Sequence, residues 1–416
     1  MCGICGFTGY RQDQKTVIER MMKAIEHRGP DSEGSFCREK ITLGFRRLSI
    51  IDLEDGQQPM ESADGNLHIV FNGEIYDYKE LRAELETFGI SFCTHSDTEV
   101  LVNTLQQYGE KALDKLRGMF GFAVWNEKEQ TLMLARDFFG IKPVYYAEID
   151  GHFVFASEIK SILAFPGYER KVNQKALEQY LSFQYSPLEE TFFKGIYKLM
   201  PGHMLLYKNG SYEIKTYFKP KLTPGQWNHK TNMAQLRSQL SEILKDSVKH
   251  HMLSDVEVGA FLSGGVDSGY LASSSGADQA FTVGFDEGDR YSEVNKAAKV
   301  AEKAGLKHHV KIISKQEFWD ALPDVMYHMD EPLGDASAVA LYFLSKEAAG
   351  HVKVVLSGEG ADELFGGYNI YREPEALKKV AWIPFRLRRA VRKLAAKLPD
   401  VKGRDFLIRA GMKVEE

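Results

Sequence analysis

The sequence predicts two domains of different class. An α+β domain of stacked antiparallel sheets with helices outside is followed by an α/β domain on a doubly wound parallel sheet. Three observations carry this reading. The chain has 416 residues, more than one small core organises. Up to residue 210, short β-rich runs dominate, and from residue 233 strands and helices alternate. The stretch 207–232 is richer in Gly, Pro, Lys and Asn, and within it 211–232 read as a linker.

In the first texture, residues 41–45, 67–71, 120–125, 131–135 and 153–156 read as strands. Residues 15–27, 78–88 and 98–108 read as helices, an α/β/β/α layering. In the second, a helix over 234–250 precedes a buried strand at 257–262. Strands at 280–285, 309–313 and 352–356 follow, separated by helices such as 292–304. No internal repeat or low-complexity tract interrupts either part.

Composition is that of an ordinary globular chain, with 44% hydrophobic and 27% charged residues. A net charge of -5 argues against a nucleic-acid partner. The longest apolar run, near residues 336–344, is too short to span a bilayer. The N-terminus lacks the basic-then-apolar layout of a signal peptide, so the expected location is the cytoplasm. Four cysteines, Cys2, Cys5, Cys37 and Cys93, form no disulfide framework. Zinc at Cys2-x-x-Cys5 would be short of ligands, with His27 the one nearby imidazole. Cys5, Cys37 and Cys93 read as small buried apolar residues.

The most informative segment is Ser263-Gly264-Gly265-Val266-Asp267-Ser268, where an apolar strand runs into a helix. Gly264 and Gly265 allow close backbone approach to an anion, and the helix N-terminus adds a positive dipole end. The hydroxyls of Ser263 and Ser268 can donate to phosphate oxygens, and Asp267 is placed to hold Mg²⁺. A bare Gly-Gly would be an ordinary tight turn; this six-residue string is more specific, and it is not a Walker loop. It resembles the pyrophosphate loop of the ATP pyrophosphatases, which release pyrophosphate as they adenylate a substrate. A second glycine-rich turn runs from Ser357-Gly358-Glu359-Gly360 to Asp362 and Gly366-Gly367. There Asp362 can share the metal with Asp267, and Glu359 can take a proton from an incoming amine.

Once Met1 is removed, Cys2 becomes an N-terminal thiol whose own α-amino group can serve as its base. Four further strings follow: 27–32 (HRGPDS), 47–52 (RLSIID), 72–76 (NGEIY) and 96–99 (SDTE). With the opening Met-Cys-Gly-Ile they resemble the class II glutamine amidotransferase domain, whose fold is the N-terminal nucleophile hydrolase type. Arg47 then suits the α-carboxylate of glutamine and Asp97 its α-ammonium. The Asn72 side chain and Gly73 N–H suit a tetrahedral oxyanion. Ser96-x-x-Glu99 also reads as a capping box for the next helix.

In this order, the motifs resemble glutamine-hydrolysing asparagine synthetase. The resemblance implies a Cys2 thioester, channelled ammonia and a β-aspartyl-AMP intermediate. Glutamine contacts fall on Arg47, Leu48, Ser49, Ile50, Ile51, Asn72, Gly73, Glu74 and Asp97. ATP contacts fall on Leu262, Ser263, Gly264, Gly265, Asp267, Ser268, Val283, Ser357 and Gly358. Glu359 supports catalysis, and Asp267 and Asp362 hold Mg²⁺. The implied partners are small molecules, namely glutamine, aspartate and ATP; a homodimer is left open.

By the same resemblance, domains run 1–210 and 233–416, the second continuing in the family beyond residue 416 to a catalytic lysine. That predicts strong glutaminase and weak synthetase activity. A related amidotransferase acting on a cell-wall peptide or surface sugar acid is the principal alternative. A β-lactam synthetase fits less well, because the glutaminase set is complete. A silent scaffold is disfavoured by intact motifs at both sites. The basic stretch 386–394, with Leu387, Val391, Leu394 and Leu398, reads as a docked helix rather than a membrane-surface one.

Overall fold

The computed structural model describes residues 1–221, 232–286, 293–399 and 401–412. Met1–Leu356 form one unit, and the residues from Ser357 on form a second.

In the first unit the strands begin with β1 (Gly3–Thr8), β2 (Ser32–Cys37), β3 (Ile41–Arg47), β4 (Met60–Glu61), β5 (Leu67–Ile75) and β6 (Gly118–Asn126). They continue with β7 (Thr131–Arg136), β8 (Tyr145–Ile149), β9 (His152–Ala156), β10 (Ile196–Lys198), β11 (His203–Lys208) and β12 (Ser211–Thr216). They build two six-stranded sheets, ordered β10-β8-β9-β1-β3-β2 and β12-β11-β7-β6-β5-β4. All their pairings are antiparallel.

Strand alternation builds the layers. Leu43 and Phe45 of β3 meet Val70, Trp125 and Leu134 from the facing sheet. On β5, Phe71 and Ile75 point the opposite way, onto α2 (Tyr78–Thr87) and α3 (Asp97–Tyr108). The other sheet is covered by α1 (Gln14–Ala24), through Val17, Ile18 and Met21, and by α4 (Ile159–Leu163). Each such buried apolar side chain contributes about 1.5–3 kcal/mol. The same alternation directs Asn72 and Glu74, with Val70, toward the facing sheet.

β12 lies within the residues expected to form the linker. Asn209 and Gly210 have φ of 51° and 81°, the pair of positive angles a type I′ hairpin requires. The hairpin returns 211–216 to the sheet, with Lys208 opposite Ser211.

After α5 (Gln174–Phe183) and α6 (Met233–His251) come β13 (Val258–Phe261), α7 (Val266–Ser274), β14 (Gln279–Phe285) and α8 (Val294–Ala304). β15 (Lys307–Ile313), α9 (Lys315–Asp320), α10 (Leu322–Met329), α11 (Ser337–Ala349) and β16 (Val354–Leu356) complete the unit. The sheet is parallel, ordered β15-β14-β13-β16. Small residues Ala260 and Ala280 receive Ala272, Ala297 and Ala301 of α7 and α8 on one face. Phe281 packs with Ala348 and Val352 on the other, so the sheet is doubly wound as expected. Strand order reverses between β13 and β16, which places the turn after β13 at the switch point where such sheets bind ligands.

The antiparallel and parallel parts meet through buried and exposed polar contacts. Asp330 accepts from Ile159 N at 2.7 Å and pairs with Lys160 Nζ at 3.0 Å. Arg117 pairs with Asp246 at 2.7 Å on the surface.

The second unit holds α12 (Ala361–Phe365), α13 (Glu373–Lys378), α14 (Phe385–Ala395) and α15 (Arg404–Ala410). α14 packs on α15 through buried Ala395 and Ala410, and Arg388 Nη1 donates to Ala410 O at 3.0 Å. Leu387, Val391, Leu394 and Leu398 are exposed, contrary to the docked stripe expected of them. The helix contact is made by small residues and one arginine instead.

Candidate functional site

Cys2 sits at the entrance to β1. Its Sγ accepts from Leu48 N at 3.4 Å and lies 3.6 Å from Leu48 O, so the turn after β3 wraps the thiol. The turn is held in place by Asp31, which accepts from Ser49 N at 2.9 Å, and by Ile50 O, which accepts from Asp255 N. Arg47 is buried, and its guanidinium donates to Leu53 O at 3.2 Å and also to Ile51 O and Asp52 O. It therefore braces the loop from Ile51 to Leu53. Among the glutamine-site candidates, this bracing is the contact that sequence pattern did not anticipate.

Across from β1, the facing sheet supplies β5. Asn72 is 1% exposed, yet its Nδ2 has no hydrogen-bond partner among the described residues. Leaving a buried amide donor unpaired costs about 1–3 kcal/mol. At Gly73 a Cβ would lie 2.1 Å from Met119 O, so no other residue fits this β5–β6 ladder. Glu74 is buried, and burial pushes its carboxyl up, opposed by Lys142.

Asp97 opens α3 and accepts from Ile75 N at 3.0 Å. Burial pushes its carboxyl up to about 6 despite that bond. The expected capping box does not form. Ser96 Oγ accepts from Thr98 N at 3.1 Å, while Glu99 takes Cys93 N and Thr94 N. A loop that returns on itself before α3 captures Glu99 first. Ser314 and Glu317 make a full capping box instead, at α9.

Two cations complete the cluster, and sequence reasoning missed both. Arg28 Nε donates to Cys2 O at 2.9 Å and its Nη1 to Glu158 at 2.7 Å. Lys142 is buried, its Nζ 3.3 Å from Met1 Sδ, and burial pushes its ammonium down against the pull of Glu74. Arg28 lies inside the HRGPDS string and could have been singled out; Lys142 stands in no motif. The Met1 amino group lies among Cys2, Arg28, Lys142 and Glu74, and burial pushes it down to about 5. Burial likewise pushes the Cys2 thiol up. With Met1 attached, the Cys2 nitrogen is a peptide nitrogen. Of the other cysteines only Cys5 is buried; Cys37 is half-buried, and Cys93 is exposed in the connection before α3.

The phosphate-loop candidates follow β13. Gly264 has φ of 77°, and a Cβ there would fall 2.7 Å from Lys296 Cβ, so the loop needs glycine twice over. Gly265 is the N-cap of α7, and Ser263 Oγ lies 2.9 Å from Ser268 Oγ. Asp267 is exposed in the first turn of α7. Leu262 is buried with its N–H on Phe281 O, and Val283 lies half-buried on β14. An exposed first-turn carboxylate fits Mg²⁺, which keeps much of its water and takes one or two carboxylates.

Ser357, Gly358, Glu359 and Asp362 belong to the second unit. Gly360 has φ of 90° and caps α12, and a Cβ on Gly367 would overlap Asp362 Oδ1 at 1.8 Å. The turn thus folds back over Asp362, while Glu359 is exposed.

The family description "Glutamine amidotransferase domain" matches residues 1–218, and "Asparagine synthase" matches residues 239–410. The chain belongs to the glutamine-hydrolysing asparagine synthetase family. It is 44% identical to Asparagine synthetase [glutamine-hydrolyzing] 1 of Bacillus subtilis, over 98% of this chain and 66% of that protein. It is 33% identical to Putative asparagine synthetase [glutamine-hydrolyzing] 2 of Methanocaldococcus jannaschii, over 97% of this chain and 82% of that one. It is 31% identical to Amidase chry2 of Gibberella zeae, over 89% of this chain and 60% of that protein. The chain spans about two thirds of the length of the Bacillus relative.

Proposed function

We propose that this chain takes nitrogen from glutamine at Cys2 and passes it to a carboxylate activated by ATP, with aspartate as acceptor. The products are asparagine, glutamate, AMP and pyrophosphate. The observation that carries the reading is the buried, unpaired Asn72 Nδ2 on the strand facing Cys2.

With Met1 removed, the Cys2 α-amine takes the thiol proton, and Sγ attacks the carboxamide carbon of glutamine. The oxyanion accepts from Asn72 Nδ2–H and Gly73 N–H. As the intermediate collapses, the amine returns its proton to the leaving nitrogen, and ammonia departs. Water then cleaves the thioester to glutamate. An amine in this cluster is disfavoured as a cation, as the depressed Met1 amino group illustrates. That suits a neutral base. Asp97 and Glu74 would hold the α-ammonium of glutamine, and the braced turn 47–51 its α-carboxylate.

In the parallel-sheet domain, which we assign to residues 233–416, the loop 262–268 would take the phosphates and Val283 would contact the nucleotide. By the family resemblance Ser357 and Gly358 would also contact ATP, and Glu359 would assist amine attack. By the family resemblance Asp267 and Asp362 are the carboxylates that would hold Mg²⁺, and the ion would supply positive charge against that of pyrophosphate. We place this chemistry in the cytoplasm; among the described residues no helix is long and apolar enough to cross a membrane.

The test assays glutamate and pyrophosphate on one preparation. Cys2→Ala should abolish glutamate formation and spare ammonia-driven pyrophosphate release, while Asp267→Asn should do the reverse. Loss of both activities in a folded Cys2→Ala protein would refute the division into two sites. A second reading keeps the same two sites with another carboxylate as acceptor, a cell-wall peptide or a surface sugar acid. A screen of acids for pyrophosphate release decides between them.

A further inference from the structure

At the end of the parallel sheet opposite the phosphate loop, His309, Glu347 and His351 converge, and their ligand atoms lie within 4.8 Å of one another. His309 is near the start of β15, Glu347 is in the last turn of α11, and His351 precedes β16. From these three residues we propose a binding site for a divalent transition cation of the zinc class, clamping the edge strand β15 to α11.

The chemistry of the set fits. Two imidazoles and a carboxylate are ligands zinc accepts, with water completing the shell. Tetrahedral zinc holds its ligands roughly 3.4 Å apart, given its bond lengths. His351 Nε2 and Glu347 Oε1 are already 3.7 Å apart, and the rings of His309 and His351 have centroids 4.0 Å apart. Closing the rest requires small rotations of partly exposed side chains.

The surroundings prepare His309 as a ligand. Gln279 Nε2 donates to Glu257 Oε1 at 2.6 Å, and a carboxylate can only accept, so the amide orientation is determined. Gln279 Oε1 therefore faces His309 Nε2 at 2.8 Å and accepts its proton. The lone pair is left on Nδ1. A metal-bound histidine commonly has such an outer partner on its second nitrogen. The ring is also stacked on Phe281, 5.0 Å between centroids and 17° between planes. His308 lies outside the set, because its Nε2 is engaged by Thr282 Oγ1 at 2.7 Å. Lys307 is the adverse charge nearby.

A plain ion pair at the helix end would explain Glu347 with His351 and nothing more. It gives no reason for the Glu257–Gln279–His309 relay aimed at the same point.

The experiment titrates the full chain with Zn²⁺ against a chromophoric chelator and records Co²⁺ absorption in parallel. One tight zinc is expected per chain at this site, with a four- or five-coordinate cobalt spectrum and a zinc-dependent rise in Tm. His351→Gln and His309→Gln should each weaken that zinc by about 100-fold or more. Gln279→Ala, which touches no metal, should weaken it about 10–100-fold by freeing the tautomer. His203→Gln, on β11, should change nothing. If His309→Gln does not fold, His351→Gln, at an exposed helix end, carries the test. Zinc bound equally by wild type and His351→Gln would overturn the proposal, as would an unaltered affinity in Gln279→Ala.

Discussion

Around Cys2, polar and charged side chains from separate elements are buried together, whereas the loop after β13 leaves Ser263, Gly265 and Asp267 in solvent. The first arrangement holds its charges against desolvation by setting Arg28 and Lys142 beside Glu74 and Glu158. The second has little to satisfy, because water reaches it, and its shape comes from the positive φ of Gly264 and a hydroxyl pair. A reaction that runs through a charged tetrahedral intermediate gains from dipoles fixed in a low-dielectric pocket. A site for a highly charged, hydrated nucleotide gains from an open loop of amides at a helix end. The two sites should accordingly answer mutation in different ways.

The largest expected effect is Asn72→Ala. Removing an oxyanion donor should lower glutaminase kcat about 10²–10³-fold with KM for glutamine little changed. Stability should hold, because the deleted donor has no partner to abandon. A large fall in Tm would mean that Asn72 is structural, and the contrast would collapse.

Asp97→Asn separates function from stability in the buried site. The carboxyl is raised to about 6 when folded, from an ordinary value near 3.8. The folded state therefore binds a proton more tightly than the unfolded one. Its ionisation penalty is absent below pH ~4, grows as pH rises through that window, and is complete above ~6. The asparagine variant should be at least as stable as the parent at pH 7, with the advantage vanishing near pH 4. Its KM for glutamine should rise at least about tenfold. Chemical denaturation across pH, beside glutaminase kinetics, reads both; equal stability at all pH values would deny Asp97 a buried charge.

The smallest stability effect is expected in the open loop. Ser263→Ala should shift unfolding by no more than about 0.5 kcal/mol, as for an exposed position. Pyrophosphate release should nevertheless drop, since the Ser263–Ser268 hydroxyl pair is lost. A large destabilisation would mean the loop is as interlocked as the glutamine site.

Much of this was legible in the chain itself. Local alternation specified β3, β5, β6 and β7, because each buries one face or both, and period-two patterning survives in one sequence. The positive-φ glycine of the loop after β13, Gly264, is equally visible, since that requirement is local. The Asn209–Gly210 turn is local as well, but the composition around it points to a linker and hides β12.

Other features depend on chain segments far apart. Lys142 becomes part of the Cys2 site only because the fold places it beside Met1, 141 residues away. Arg47 braces a loop whose path no spacing rule describes. Glu99 was free to cap α3 or clamp residues 93–94, and proximity decided for the clamp. The orientation of His309 rests on a relay from Glu257, just before β13, through β14 to β15, which exists only once the strands stand in register. The sequence by itself determined most of the elements and singled out Cys2 and the two glycine-rich turns as candidates, because those depend on periodicity and on backbone angles within a few residues. Tertiary structure alone decided which charges share a pocket, because electrostatic coupling and burial depend on distance through space and on excluded water.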